Sequence, residues 1–273
     1  MLYIVATPIG NLEDITARAL RVLREVDVVA AEDTRVTKNL LRHFDINTPL
    51  IRCDAHVEHR GADSVLARLR AGQSVALVSD AGTPLLSDPG QELVAAAVGE
   101  GFRVEPIPGA SALLAALVGA GLPTGRFVFE GFLPRTNDRR ERLQEVATER
   151  RSVVLYESPH RLVETLEDLV TVCGGLRACA VGRELTKKFE EFVRGDLATV
   201  LAHFQQNAPR GECVIVLGPG EGAAVPTEAV SPEDQLAALL ASGVSAKDAA
   251  RQVAAATGRS RRDLYALAQT LPR

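Results

Sequence analysis

Along the first 220 residues the hydrophobic pattern switches repeatedly between a continuous run of strand length and a helical spacing. Leu2-Tyr3-Ile4-Val5-Ala6 is strand-like, and Pro8-Ile9-Gly10-Asn11 breaks it. Leu12, Ile15, Ala19, Leu20, Leu23 and Val26 then recur at helical spacing. Val28-Val29-Ala30-Ala31 predicts a second strand, closed by Glu32-Asp33-Thr34-Arg35 and followed by a helix through Leu40 and Leu41. Next come Pro49-Leu50-Ile51, a polar loop from Asp54 to Gly61, and a helix marked by Val65, Leu66 and Leu69. Ser74-Val75-Ala76-Leu77-Val78-Ser79 is the clearest buried strand and runs straight into Asp80-Ala81-Gly82-Thr83-Pro84. A helix from Glu92 to Val98, a strand from Arg103 to Ile107, the break Pro108-Gly109 and an apolar helix from Ala110 to Val118 complete this part. Strand, loop and helix in this alternation predict a mostly parallel sheet covered on both faces.

Gly119, Gly121, Pro123 and Gly125 cluster at a boundary. Beyond it the pattern predicts strands at Phe127-Val128-Phe129, Val153-Val154-Leu155-Tyr156, Ala178 to Gly182 and Cys213-Val214-Ile215-Val216-Leu217. Helices fall between Arg135 and Glu149 and through Leu162, Leu166 and Leu169. After a small-residue linker, Ser231-Pro232-Glu233-Asp234, Ser245-Ala246-Lys247-Asp248 and Ser260-Arg261-Arg262-Asp263 each fit the Ser-x-x-acid helix start. The reading is an α/β protein of two α/β domains, residues 1–122 and 123–220. A linker and a small helix-turn-helix-like tail occupy residues 221–273.

Composition narrows the function classes. Hydrophobic residues at 46% and charged residues at 24% describe a globular chain, not a disordered or fibrous one. The longest apolar stretch, Ala110 to Leu122, falls well short of the roughly 20 residues that span a bilayer. The start carries no basic residue and is broken by Pro8 and Gly10, unlike a signal peptide. Cys53, Cys173, Cys179 and Cys213 follow no disulfide spacing, which predicts a cytoplasmic protein. Cys53, His56 and His59 lack a fourth ligand, so no metal is expected. A net charge of -4 argues against holding nucleic acid by bulk charge. Yet of 31 basic residues all but Lys38, Lys187, Lys188 and Lys247 are Arg, whose planar fork suits phosphates and base edges. A GC-rich coding sequence accounts for much of that bias.

Three Gly/Pro-rich loops follow predicted strands: Thr7 to Asn11, Asp80 to Gly90 and Pro108 to Ala112. In open α/β sheets such positions hold ligands, and small residues let a ligand approach the backbone. No Gly-x-Gly-x-x-Gly or Gly-x4-Gly-Lys-Ser/Thr fingerprint is present. Asp80 beside Gly82 suits a ribose hydroxyl or an amino group better than a phosphate, which it would repel.

Six segments in order carry a resemblance. They are Val5 to Ile15, Ala31-Glu32-Asp33-Thr34-Arg35, Ser79 to Pro84, Pro108 to Ala112, Tyr156-Glu157-Ser158-Pro159-His160-Arg161 and Arg183-Glu184-Leu185-Thr186-Lys187. Together they resemble the ribosomal RNA small subunit methyltransferase I family, a branch of the tetrapyrrole methylase fold. The resemblance implies a homodimer that 2′-O-methylates a cytidine ribose of 16S rRNA within the 30S subunit. The methyl donor would be S-adenosylmethionine, folded in a cleft between the two α/β domains. It further implies donor contacts from Pro8, Asp80, Gly82, Thr83, Pro84, Ser111 and Ala112, and from Tyr156, Leu185, Cys213 and Val214. His59 stands where that family leads one to expect a neutral polar residue.

A ribose hydroxyl is a very weak acid, so a nearby base would assist, while in-line alignment of the oxygen supplies the larger effect. Asp33, Glu157, His160 and Glu184 are the candidates, each with an ion pair as its bland alternative. Arg35, Arg161, Arg183 and Lys187 are candidate phosphate or orientation partners, and Arg135, Arg139, Arg140, Arg259, Arg261 and Arg262 candidate RNA contacts. Those outlying arginines favour RNA over the rival reading, a methylase of a tetrapyrrole or other small molecule. A third reading, an RNA-binding assembly factor without catalysis, fits the intact glycine loops poorly.

Overall fold

The computed structural model describes residues 1–53, 58–136, 138–220, 232–241, 244–257 and 260–270. The readings placed on residues 54–57, on the side chain of His59, on Ser231 and on Arg259 lie outside it. Met1–Gly220 forms one compact unit with two five-stranded sheets, and Glu221–Arg273 forms another.

The first sheet contains β1 (Leu2–Val5), β2 (Val28–Ala31), β3 (Leu50–Arg52), β4 (Val75–Val78) and β5 (Val104–Ile107). Its order is β3-β2-β4-β1-β5 and every pairing is parallel. β2 and β4 are buried at every position, which is why both read as unbroken apolar runs. Alternate residues feed two layers. Val29 and Ala31 face Ala19, Val22 and Leu23 of α1 (Ala17–Glu25) and Leu41 of α2 (Thr34–His43). Val28 and Ala30 face Val65, Leu66 and Leu69 of α3 (Glu58–Arg70) and Leu93 and Ala97 of α4 (Gln91–Gly99).

The helical spacing that begins at Leu12 is interrupted. Leu12–Asp14 is a single 3₁₀ turn, and α1 starts afresh where the Thr16 hydroxyl accepts from the Ala19 N–H at 3.0 Å. α3 begins inside the stretch expected to be loop up to Gly61.

The fifth helix, α5 (Ala112–Gly119), packs differently. Its Leu113, Ala116 and Leu117 sit against Val154, Ala180, Val214 and Val216 of the second sheet. That sheet contains β6 (Phe127–Phe132), β7 (Ser152–Glu157), β8 (Ala178–Arg183), β9 (Glu191–Asp196) and β10 (Cys213–Leu217) in the order β6-β7-β10-β8-β9. Only β6 and β7 run parallel; the other neighbours are antiparallel. Its other face is covered by α6 (Arg139–Thr148), α7 (Leu162–Cys173) and α8 (Leu197–Gln206). The sequence pattern passes over both β9 and α8. β9 is an edge strand with no buried residue, so it carries no apolar run. α8 announces itself only by Asp196, whose carboxylate accepts from the Thr199 N–H at 2.8 Å.

The Arg177 guanidinium is buried here, and among the described residues no carboxylate pairs with it. It donates to the carbonyls of Val146 at 2.7 Å, Gly218 at 2.9 Å and Glu149 at 3.4 Å. Two of these acceptors stand at the end of α6, where the Val146 carbonyl also takes the Glu149 N–H at 3.3 Å and the Glu149 carbonyl the Gly220 N–H at 3.1 Å.

In the tail unit, α9 (Pro232–Ala241), α10 (Ala246–Thr257) and α11 (Arg261–Ala268) close around Leu236, Ala249, Ala250, Val253 and Leu264. The Ser245 hydroxyl accepts from the Asp248 N–H at 3.2 Å and donates to its carboxylate at 2.7 Å. Ser260 occupies the equivalent cap position but makes no side-chain hydrogen bond there, so that expected cap is absent. No described helix is long and apolar enough to cross a membrane.

Candidate active site

The three glycine loops of the first half converge where α5 meets the second sheet. Thr7 and Gly82 exchange backbone hydrogen bonds of 2.8 and 3.0 Å, which closes the first loop onto the second. The Thr83 hydroxyl donates to the Ala110 carbonyl at 3.1 Å, joining the second loop to the third. Ser111 caps α5, and the Leu113 N–H in its first turn donates to the Tyr156 phenol oxygen at 3.1 Å. That last bond ties the two sheets together across the opening.

The result is a cleft of about 380 Å³, within the range typical of small-molecule sites. Asp80, Gly82, Thr83, Ser111 and Ala112 line it from the first half. Tyr156, Leu185, Cys213 and Val214 line it from the second. The β-register explains the second group, since Cys213 lies opposite Glu157 and Val214 opposite Tyr156. Gly82 has φ +79°, and a Cβ there would come within 3.1 Å of Ile9 Cγ2. A side chain at that point would fill the cradle as well as strain the backbone.

Non-glycine residues with positive φ concentrate in the two loops that face this cleft. Leu85 (φ 74°) and Ser87 (φ 63°) follow β4, and Glu184 (φ 50°) and Thr186 (φ 64°) follow β8. Each such residue costs on the order of 1–3 kcal/mol, held in place by surrounding contacts, and such strain gathers at functional sites.

Two expected donor contacts fall elsewhere. Pro8 lines a neighbouring cavity, and Pro84 lines a third one beside Glu32 and Asp88. Conversely Ile9, Leu86, Ser87, Asp88, Phe132 and Glu212 line the cleft although they were not among the expected residues. Ser87 and Asp88 lie in the second glycine loop and were within reach of the pattern. Phe132 and Glu212 carried no local signal; strand pairing alone brings them in.

Of the four candidate bases, only Glu157 reaches the cleft wall. Its carboxylate is buried and both oxygens are engaged, one by the Ser158 N–H at 2.8 Å and the other by the Thr165 hydroxyl at 2.7 Å. Asp33 instead caps α2 and is clamped by the Arg35 guanidinium, whose hydrogen bonds hold its carboxyl down at about 2. Glu184 accepts from Lys187 Nζ at 2.9 Å, and neither it nor exposed His160 is among the lining residues. Asp88 moves the other way: burial, and then the charge of Glu32, raise its carboxyl to about 6. Burial also raises the Tyr156 phenol and pushes the Cys213 thiol up to about 12, so both are neutral near pH 7.

The candidate RNA contacts separate into two groups. Arg135 and Arg140 are exposed beside a shallow groove between α6 and α7, and Arg261 and Arg262 are exposed at the start of α11. Arg139 and Arg161 correct the expectation, because their guanidinia are turned inward. Arg139, with its side chain 11% exposed, bonds Asp168, Thr165 and the Pro134 carbonyl. Arg161 donates to the carbonyls of Leu133 and Pro134. Arg35 is exposed but already paired with Asp33, and Lys187 lines the cleft between Glu184 and Glu212.

The cleft's chemistry suits a cation with an apolar body. Ile9, Phe132, Leu185 and Val214 supply apolar wall, and Asp80, Asp88, Glu157 and Glu212 outnumber the single Lys187.

Two five-stranded sheets sharing one cleft define a class, and residues 1–201 match the family described as Tetrapyrrole (Corrin/Porphyrin) Methylases. Residues 228–272 match the RsmI C-terminal HTH domain. Among solved structures, a cobalt precorrin-4 methyltransferase of cobalamin biosynthesis superposes with a TM-score of 0.63 at 21% identity. That match covers 80% of this chain and 94% of the other. A uroporphyrin-III C-methyltransferase from Thermus thermophilus, complexed with S-adenosyl homocysteine, gives 0.57 at 22% identity over 81% and 97%. These likenesses show the fold. Ribosomal RNA small subunit methyltransferase I of Synechocystis sp. is 50% identical, covering 99% of this chain and 98% of its own length. Its counterpart from Halalkalibacterium halodurans is 47% identical over 97% and 93%. The chain belongs to the tetrapyrrole methylase family, in its ribosomal RNA small subunit methyltransferase I branch.

Proposed function

We propose that this protein methylates the ribose 2′-hydroxyl of a cytidine in the 16S rRNA of the 30S subunit, with S-adenosylmethionine as donor. The observation that carries the reading is the cleft itself, where three glycine loops close on Tyr156 and Val214 beneath an acid-rich wall. Asp80, Gly82, Thr83, Ser111 and Ala112 would hold the donor from the first half, and Tyr156, Leu185, Cys213 and Val214 from the second. When bound, the donor would supply an activated methyl carried on a sulfonium, for transfer to the ribose oxygen with the thioether as leaving group.

The residues of the chain contribute chiefly alignment, which is worth several kcal/mol when an attacking oxygen is held in line. Glu157 serves this by fixing the turn at Ser158 and, through Thr165 and Arg139, the start of α7. With both oxygens engaged it is read as a positioning residue. The exposed Arg135, Arg140, Arg261 and Arg262 are read as phosphate contacts, with much of the recognition left to the assembled particle.

Residues 1–122 and 123–220 are read as the two lobes of the methylase. A homodimer in the cytoplasm completes the reading; Leu114 and Val118, one turn apart on α5 and 51% and 73% exposed, support pairing of two copies. The decisive experiment supplies tritiated S-adenosylmethionine and 30S subunits from cells lacking the protein. Label on cytidine ribose is expected. Label on a base, or only on a small molecule, would overturn the reading.

A further inference from the structure

The loop between β8 and β9 carries an aromatic ring that the methyl-transfer reading leaves unused. In a chain with only 4% aromatic residues, Phe189 is 66% exposed, more than any other Phe or Tyr among the described residues. Single apolar side chains are common on protein surfaces, so exposure by itself assigns nothing. What marks Phe189 is the loop beneath it and the cation beside it.

The loop is stiff. The Lys187 N–H donates to the Glu184 carbonyl at 3.0 Å, and the Glu190 N–H donates to the Lys187 carbonyl at 3.1 Å. The Thr186 N–H donates to the Glu190 carboxylate at 2.6 Å. Glu184 and Thr186 sit in the left-handed region, and the Thr186 hydroxyl is buried with no partner among the described residues. Lys187 pins the base of the loop. Its ammonium donates to Glu184 at 2.9 Å and to Glu212 at 3.4 Å, and its aliphatic stem lies against Gly10, where a Cβ would collide with it. Lys187 also lines both the cleft and the neighbouring cavity that holds Pro8. Phe189 follows two residues on, at most about 7 Å of backbone, and lines neither space. A ring is thus held rigidly beside the site and outside it.

The charges around the ring are sorted. Lys188 Nζ lies 5.6 Å from the centroid of the Phe189 ring, and no carboxylate among the described residues pairs with it. The carboxylates nearby in sequence or across the loop are engaged: Glu190 by the Thr186 N–H, Glu191 by Arg183, and Glu184 and Glu212 by Lys187. A flat apolar ring with one uncommitted ammonium complements a nucleotide, whose base offers a π face and whose phosphate offers an anion. An apolar protein surface laid on the same spot would bury the Lys188 charge without compensation.

We propose that Phe189 receives an unpaired base of the rRNA, stacked on its ring, with the Lys188 ammonium against that nucleotide's phosphate. The nucleotide is a neighbour of the methylated one, because the ring stands outside the cleft in which the methyl is transferred. The inference rests on the RNA-methylating reading. Stacking on an aromatic side chain tolerates any base, so this contact holds the strand in register and leaves base choice to other groups.

The test measures steady-state methylation of 30S subunits that lack the modification by the full chain and by Phe189→Ala, Phe189→Leu and Phe189→Trp. The ring is exposed, so all four proteins should melt alike. Phe189→Ala and Phe189→Leu should each raise the KM for 30S subunits about tenfold with kcat nearly unchanged, and Phe189→Trp should restore it. Donor affinity, read by calorimetry, should not move. Lys188→Ala should raise the KM about threefold and flatten its dependence on salt. An unmoved KM in Phe189→Ala overturns the inference and leaves the functional reading standing. Phe189→Leu performing as well as Phe189→Trp overturns it too, because plain apolar packing would then suffice. A halved sedimenting mass in Phe189→Ala would assign the ring to a contact between two copies of the chain, and so would overturn it. Unaltered protein that labels no rRNA overturns both readings.

Discussion

The two sheets of the methylase unit build their shares of the cleft by different means. In the first, every strand is parallel, so the ends of β1, β4 and β5 point one way and deliver three loops to a common place. The site there is backbone and glycine, with ligand space made by missing side chains. In the second, antiparallel pairing sets the last residues of β7 beside the first residues of β10, and Tyr156, Cys213 and Val214 arrive at the cleft by register. Its rigidity comes from buried polar ties such as Arg177, Glu157 and Arg139. The difference teaches that one half is vulnerable to added atoms and the other to removed hydrogen bonds.

The sharpest test of that contrast is Arg177→Leu. Removing the guanidinium leaves the Gly218 carbonyl without that donor in the core and strips one of two donors from the carbonyls of Val146 and Glu149, which keep the Glu149 and Gly220 N–H groups. A loss of about 2–4 kcal/mol in denaturant unfolding is expected. A loss below about 1 kcal/mol would mean that water or a shifted backbone satisfies them.

Next in size, Glu157→Gln puts an amide donor before the Ser158 N–H or the Thr165 hydroxyl. About 1–3 kcal/mol of stability should be lost, with the single-turnover rate kept within about tenfold. A rate lower by about a hundredfold or more, with donor binding intact, would make Glu157 the base after all.

In the first half, Gly82→Ala should cost about 1 kcal/mol of stability through backbone strain and weaken donor binding by more, about 2 kcal/mol, measured calorimetrically. The strain of φ +79° acts on the folded backbone itself, and the approach to Ile9, a buried residue that also lines the cleft, acts at the cradle. Equal losses in stability and affinity would erase the contrast between the halves.

The smallest effect concerns pH. Asp88 is raised from 3.8 to about 6 in the folded state, chiefly by burial and then by Glu32, with Asp80 adding to it and Ser79 opposing. Between those values the folded protein binds the extra proton, so stability falls as pH rises through about 4 to 6. Asp88→Asn should flatten that part of the curve in thermal melts, and an unaltered slope would refute the assignment.

Much of the first half was readable in the chain itself. β2 and β4 are buried on both faces and announce themselves as Val28–Ala31 and Val75–Val78, and the loops at Gly82 and Ser111 stand out because special backbone needs special residues. The second half was less so. β9 has no buried position and its six residues read as loop, while α8 depended on a cap at Asp196 that resembles any surface acid. Among site residues, Arg139 and Arg161 show the limit most clearly. In sequence both are basic residues beside helix starts, and only packing reveals that their charge is spent on Asp168 and on carbonyls of the preceding loop.

By itself, then, the sequence determined local matters: which segments are strands and helices, where the chain must turn, and which motifs mark the family. Burial pattern and backbone preference act over a few residues, so they survive in one dimension. Tertiary structure alone decided that Phe132 and Glu212 stand at the cleft, that Pro8 and Pro84 do not, and that Lys187 lies between two cavities against Gly10. Those facts depend on pairings between residues far apart in the chain, and no local pattern encodes which distant side chain will fill a given space.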